Sequence, residues 1–238
     1  MVYAREVDGQ VLEFEVSGRL YRNALVMLDQ QTGSLWSQIL GAAILGPLKG
    51  TRLTMLPSLH TTWGAWRREH PNGLLLKKEQ PSYAAYAPYW GSQMAGVTDE
   101  AIADTRLRTK QLVLGVRVGD QAKAYPYPLG RLSTQPVIND SLGRMPMVVV
   151  FDQVHGTGGV FSRQVQDRVL TFALARKSET TVVLTDKETG TQWHGLSGAA
   201  LVGPLEGQRL TPIPATLAFW FGWKDHFPNT AVWSNPPS

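Results

Sequence analysis

The stretch LVMLDQQTGSLWSQILGAAILGPLKGTRLTMLP (Leu25–Pro57) returns later in the chain as VVLTDKETGTQWHGLSGAALVGPLEGQRLTPIP (Val182–Pro214). The two align at a fixed offset of 157 positions, which brings Asp29 onto Asp186, Trp36 onto Trp193, Gly46-Pro47 onto Gly203-Pro204 and Pro57 onto Pro214. The match continues through Trp63/Trp220, Trp66/Trp223 and Pro71/Pro228. Upstream, with the offset changed by one residue, Arg5 matches Arg163 and Phe14 matches Phe172. Rare residues held at fixed spacing are the mark of a repeat, and a repeat decides the architecture before any local pattern does. Each unit is larger than a solenoid repeat, so the reading is two equivalent β-rich halves.

Within each half the pattern is that of a meander. Val7-Asp8-Gly9-Gln10 carries the Asp-Gly hairpin signal between two short strands. Ser17-Gly18-Arg19 reads as a second turn, Ala24–Leu28 as a strand, and Asp29–Gly33 as a turn whose Asp side chain accepts backbone N–H bonds. Thr61 or Thr62 caps a short helix through Trp63 and Trp66, stopped by His70-Pro71, and the two Trp share a face that would pack on the sheet. Leu74–Leu76 reads as a closing strand. In the middle of the chain, Leu112–Val118 and Ala122–Tyr125 form a hairpin, and the apolar run Val148–Phe151 suits a strand buried on both faces.

The expected fold class is therefore mainly β (α+β), with internally duplicated β-meander units each closed by a short Trp-rich helix. The expected segments are a first repeat over 1–78, a Tyr/Pro/Gly-rich linker or lid over 79–111, connecting hairpins over 112–146, and a second repeat over 147–238 packed with the first. Met147–Phe151 leads into the second repeat, yet its counterpart would fall before Met1. The first repeat thus lacks a leading strand, and its unpaired edge is a place for another copy of the chain to pair.

Composition excludes several functions. With no Cys there is no disulfide, thiolate nucleophile or cysteine metal site. A net charge of +4 with scattered basic residues gives no footprint for nucleic acid. No apolar run is long enough to insert into a membrane, and MVYAREVDGQ is not a signal peptide. As given, the chain reads as cytoplasmic, or extracytoplasmic if an N-terminal segment has been removed. No G-x-S-x-G elbow, P-loop or paired-His metal motif occurs, so no cofactor and no metal are expected. The loop HGTGG (His155–Gly159) resembles an oxyanion loop only in its glycines.

The repeated motif, with Asp29, Thr32, Ser34, Trp36, Gln38, Gly41, Ala43, Ile44, Gly46, Pro47, Leu48, Gly50 and Leu53, followed by Trp63, Trp66 and Pro71, resembles DUF3179, a bacterial and archaeal family of unknown function. GVRVGDQAKAYPYPL (Gly115–Leu129) and VINDSLG (Val137–Gly143) also look like the middle of that family. The resemblance covers nearly the whole chain and implies no established chemistry. It implies a Cys-Pro-Leu-Cys-like stretch upstream of Tyr3, which is missing here, so the chain reads as a truncated or diverged member.

The candidate site residues follow from the differences between the copies. His60 lies between a strand end and a helix start, where the second copy has Leu217. An imidazole there could act as a general base with Asp29 or Arg19 as the remaining catalytic candidates. The plainer reading of Asp29 and Asp186 is turn formation. Trp36 and Gln38 share a strand face and could form an aromatic and amide platform for a sugar or planar ligand, with His194, Tyr86, Tyr89 and Trp90 as further lining. The plainer reading of Trp36 is core packing. Two functions are weighed: a binding or structural module for a small-molecule or carbohydrate-type ligand at the seam of the repeats, and a hydrolase or other small-molecule enzyme built on His60.

Overall fold

The computed structural model describes residues 1–75, 88–89, 92, 94–96, 104–127, 135–152, 157–177 and 182–234. Most of the expected linker or lid, with Tyr86 and Trp90, and His155 of the glycine-rich loop lie outside the described residues. The described chain is mainly β. It begins with strands β1 (Val2–Tyr3), β2 (Glu6–Val7), β3 (Gln10–Val11), β4 (Phe14–Tyr21), β5 (Ala24–Asp29), β6 (Leu35–Ser37), β7 (Ala42–Leu45) and β8 (Met55–Leu56), then helix α1 (Trp63–Glu69). The middle supplies β9 (Leu112–Val118), β10 (Gln121–Pro126), β11 (Val137–Leu142) and β12 (Met145–Asp152). There follow β13 (Thr157–Ser162), β14 (Gln164–Val165), β15 (Arg168–Val169), β16 (Phe172–Lys177), β17 (Val182–Asp186), β18 (Gln192–His194) and β19 (Ala200–Val202). The chain closes with β20 (Ala215–Phe219), α2 (Trp220–His226) and β21 (Ala231–Val232).

Compactness divides the chain differently from repetition. One compact unit comprises Met1–Ser58, Met94–Tyr127 and Ile213–Ser238; the other comprises Leu59–Gln93 and Pro128–Pro212. The first therefore joins the meander of the first repeat to the closing helix of the second. The reason lies in strand pairing. β20 lies antiparallel on β9, with Thr216 opposite Gly115, while β21 runs parallel to β10. The tail of the chain is thus stitched into the sheet of the middle hairpin, giving the order β20-β9-β10-β21.

The first unit also holds the antiparallel meander β4-β5-β6-β7, the β2-β3 hairpin and the β1-β8 pair. Asp8 and Gly9 both take positive φ, the left-handed turn that the Asp-Gly signal predicts. The expected turn at Ser17-Gly18-Arg19 is instead a bulge inside β4. The register slips between Val16 and Leu20, and the Ser17 hydroxyl donates to the Val26 carbonyl at 2.6 Å, fastening the bulge to β5. The true reversal comes at Arg22-Asn23, both at positive φ. Two apolar clusters hold this unit. Trp36 is packed with Val7, Leu12, Ala43 and Leu53. Trp220 and Trp223 of α2 are buried against Val113 and Ala124 of the sheet. Gly115 makes the second cluster possible, since a Cβ there would come within 2.4 Å of the Trp223 ring.

The second unit is built on the sheets β11-β12-β13 and β16-β17-β18-β19, with the small β14-β15 hairpin. Val148 to Phe151 of β12 are buried, as a strand covered on both faces requires. Val148 and Val150 join Phe172, Leu184 and Trp193 in one core. β12 pairs with β13, while the positional counterpart of β13, β1, pairs only with β8 among the described residues. Helix α1 departs from expectation: Trp63 and Trp66 are 42% and 43% exposed, so they do not pack it on a sheet, and the Trp66 ring lies over His70 at 3.8 Å. Leu74 and Leu75 form no strand; both are exposed.

Candidate functional site

The residues shared by the two similar stretches build one hydrogen-bonded knot, and it appears once in each unit. Asp29 is fully buried. Its carboxylate accepts the Thr32 backbone N–H at 2.7 Å, the Thr32 hydroxyl at 2.8 Å and the Trp36 indole N–H at 2.8 Å. A carboxylate only accepts, so the Thr32 hydroxyl must donate to it, and the Ser34 hydroxyl, 2.7 Å away, must donate to Thr32. Ser34 Oγ in turn accepts the Leu48 N–H at 3.1 Å. The second unit repeats every bond with Asp186, Thr189, Thr191, Trp193 and Leu205. This also explains Gly46 and Gly203. Both sit at positive φ, and a Cβ on either would come within 2.7 Å of the backbone Cα of Ser34 or Thr191.

The knot leaves Asp29 little for a substrate. Burial alone would push its carboxyl up, but the donors Trp36, Thr32 and Ser34 together hold it below its ordinary value. It is a satisfied structural carboxylate. The Trp36 indole is likewise 0% exposed and meets Phe14 edge-on at 5.6 Å between centroids, so it is core and not a ligand platform. Gln38 is half-buried at the strand end, and its carbonyl accepts the Tyr3 hydroxyl at 2.7 Å.

Open space lies elsewhere in the first unit. One cavity of about 200 Å³ is lined by Tyr3, Leu40 and Arg52 from the first repeat, by Gly115 and Arg117 of β9, and by Thr216, Trp223 and Phe227 from the chain's tail. Arg52 and Arg117 are exposed and have no ion-pair partner among the described residues. Thr216 is buried at 3% exposure, and no acidic residue among the described residues lines the cavity. Burial pushes the Tyr3 phenol up to about 12, against the pull of the Arg117 charge, so it remains a neutral donor. The arrangement offers two guanidinium groups beside an aromatic wall, a donor set suited to a carboxylate or phosphate.

A second, more open trough of about 610 Å³ adjoins it and shares Leu40 and Arg52. It runs over the meander on the face away from Trp36. The pairing Met27↔Trp36 sends that pair to the core and leaves the neighbouring pairs, Val26↔Ser37 and Leu28↔Leu35, on the other side. Its cations are Arg19, Lys49 and Arg52, and again no acid among the described residues lines it. Arg19 was legible as a candidate from sequence, but Arg52, Arg117 and Thr216 were not. Their only signal is positional, because a pocket assembled from three distant segments has no spacing rule.

The family model of DUF3179, described as a protein of unknown function, matches residues 1–230. The chain belongs to DUF3179. No curated protein and no solved structure matches it.

The remaining candidates of this DUF3179 member fall outside the two cavities. His60 is exposed and belongs to the second unit, whereas Asp29 and Arg19 belong to the first; among the described residues the imidazole has no hydrogen-bond partner. His194 is half-buried, and its Nδ1 accepts the Ser197 N–H at 3.1 Å, which makes it a turn fastener. Tyr89 is half-buried, and burial raises its phenol above the ordinary value. No cluster of metal-ligating side chains occurs among the described residues, and no described helix is long and apolar enough to cross a membrane.

Proposed function

We propose that this chain is a binding module whose first compact unit holds a small anionic ligand, a carboxylate or phosphate, in the cavity between Arg52 and Arg117. The observation that carries the reading is a pair of guanidinium groups, without an ion-pair partner among the described residues, at a cavity that also presents Thr216 and an aromatic wall and that no described acid lines. The ligand class moves from carbohydrate to anion, because the tryptophan that would have stacked on a sugar is buried. The place stays at a seam in the sequence sense, since the lining comes from both repeats.

We also infer that the chain arose by internal duplication and that only one copy kept a site. The identical knots support the common origin. The flanking residues support the divergence. Arg52 faces open space, whereas its counterpart Arg209 is tied to the Ser197 carbonyl at 2.9 Å.

Isothermal titration of the full chain with inorganic phosphate, benzoate and citrate, against uncharged benzamide, tests the anion site. The anions should bind and the amide should not. Arg52→Ala and Arg117→Ala should each weaken binding by about tenfold or more, the worth of one charge-assisted hydrogen bond. Equal behaviour of anion and amide, or unchanged binding in both variants, would end the proposal.

A further inference from the structure

We infer that the ligand is an anionic amphiphile, with its head at Arg52 and an aliphatic tail along the trough over the meander; this deepens the anion-site reading and rests on it. The two cavities are continuous in their lining, because Leu40 and Arg52 belong to both. One holds the guanidinium pair, and the other is larger and apolar. The trough is floored by Val26, Leu35, Leu40 and Ala42, and flanked by Leu20 and Leu45, which are 52% and 54% exposed. Side chains of that size on a sheet face ordinarily find cover. Its volume of about 610 Å³ lies within the range of small-molecule sites.

The charges around it select the kind of cover. Arg19, Lys49 and Arg52 edge the trough and no acid among the described residues does, so an occupant with a negative head and an apolar body matches both features. The second unit provides the comparison. At the equivalent positions of its meander, Leu35 becomes Gln192, Leu40 becomes Ser197 and Lys49 becomes Glu206. The same fold element there has lost the apolar floor at two places and reversed one charge. The knot that shapes both sheets needs none of these residues, so folding alone does not require the first unit's greasy, basic face.

The test is titration calorimetry of the full chain with butanoate, octanoate and dodecanoate below their micelle concentrations. Inorganic phosphate serves as a head without a tail, and dodecyltrimethylammonium as the same tail with the wrong charge. Each buried methylene should tighten Kd by about two- to fourfold. Leu35→Gln should flatten that series while leaving phosphate binding unchanged, and Lys49→Glu should weaken every long-chain anion. Leu35 lies on the sheet face away from Trp36 and Lys49 in the exposed turn after β7, and both substitutions install the residue found at the equivalent position of the second meander. If phosphate and butanoate bind but lengthening gains nothing, the amphiphile inference is overturned and the anion site stands. If the long cation binds as well as dodecanoate, the trough is merely sticky and the inference fails. Binding to phosphatidylglycerol vesicles without binding of monomeric dodecanoate would also overturn it. So would sedimentation showing a dimer that Leu35→Gln dissociates, since a second copy would then be the cover. Failure of phosphate and of every alkyl anion would remove the anion site itself.

Discussion

Replacing Asp29 by Asn keeps the size of the side chain and removes its charge, which separates a structural carboxylate from a catalytic one. The wild-type carboxylate accepts from Thr32 through N–H and O–H and from Trp36 through Nε1. An amide has one oxygen for these two partners. If the oxygen stays with Thr32, the amide NH₂ faces the Trp36 N–H, donor against donor, at a site with no access to water. An unsatisfied buried donor costs about 1–3 kcal/mol, and the loss of charge assistance at Thr32 adds to it, so the expected total is about 3 kcal/mol. Turning the amide over only moves the loss onto Thr32. Urea unfolding followed by circular dichroism should show a lower midpoint at unchanged slope, by roughly 1–3 M for a slope of about 1–3 kcal/mol/M. Asp186→Asn is the matched experiment, because the second knot has the same bonds. Phosphate binding by Asp29→Asn at low urea should equal wild type. The reasoning is refuted if Asp29→Asn costs under about 1 kcal/mol, or if it abolishes ligand binding in a fully folded protein.

Three further outcomes follow from the same structure. The Asp29 carboxyl is held below its unfolded value, so its contribution to stability is full above the ordinary carboxylate range of about 4 and is lost as pH falls through the folded value. Urea midpoints across acid pH should therefore fall less steeply in Asp29→Asn than in wild type. His226 is buried on the Gly222 carbonyl, and burial, with the Arg22 charge, lowers its pKa. The folded state resists protonation, so stability should decline as pH drops below the unfolded value of about 6.5, and His226→Gln should show a smaller decline between pH 7.5 and 5. Gly115→Ala would push a methyl group into the Trp223 ring and should cost about 1–3 kcal/mol by thermal or urea unfolding. Gly119→Ala, in open space at positive φ, should cost only about 1 kcal/mol of backbone strain.

Local chemistry was legible where neighbours in sequence are neighbours in space. The Asp-Gly hairpin, the Asp29 turn, the β9–β10 hairpin, the buried run in β12 and the extent of both helices all follow from short-range rules. The bulge at Gly18 carries the signature of a turn because Ser-Gly-Arg serves both, and only the Ser17 bond to Val26 decides between them. Trp36 was ambiguous for a related reason. Strand alternation places it on a face but does not say which face is covered, and the Phe14 and Leu12 that bury it arrive from another strand.

By itself, then, the sequence determined the family, the mainly β character and the framework of Asp, Thr, Gly and Trp that each meander needs, since these are matters of periodicity and turn chemistry. Only the tertiary structure decided where an anion can sit. Arg52, Arg117 and Thr216 come from three separate segments, and they meet because the last strands of the chain pair with the middle hairpin and not with their own repeat. Strand pairing at long sequence separation is set by the packing of whole faces, and a local pattern does not contain it.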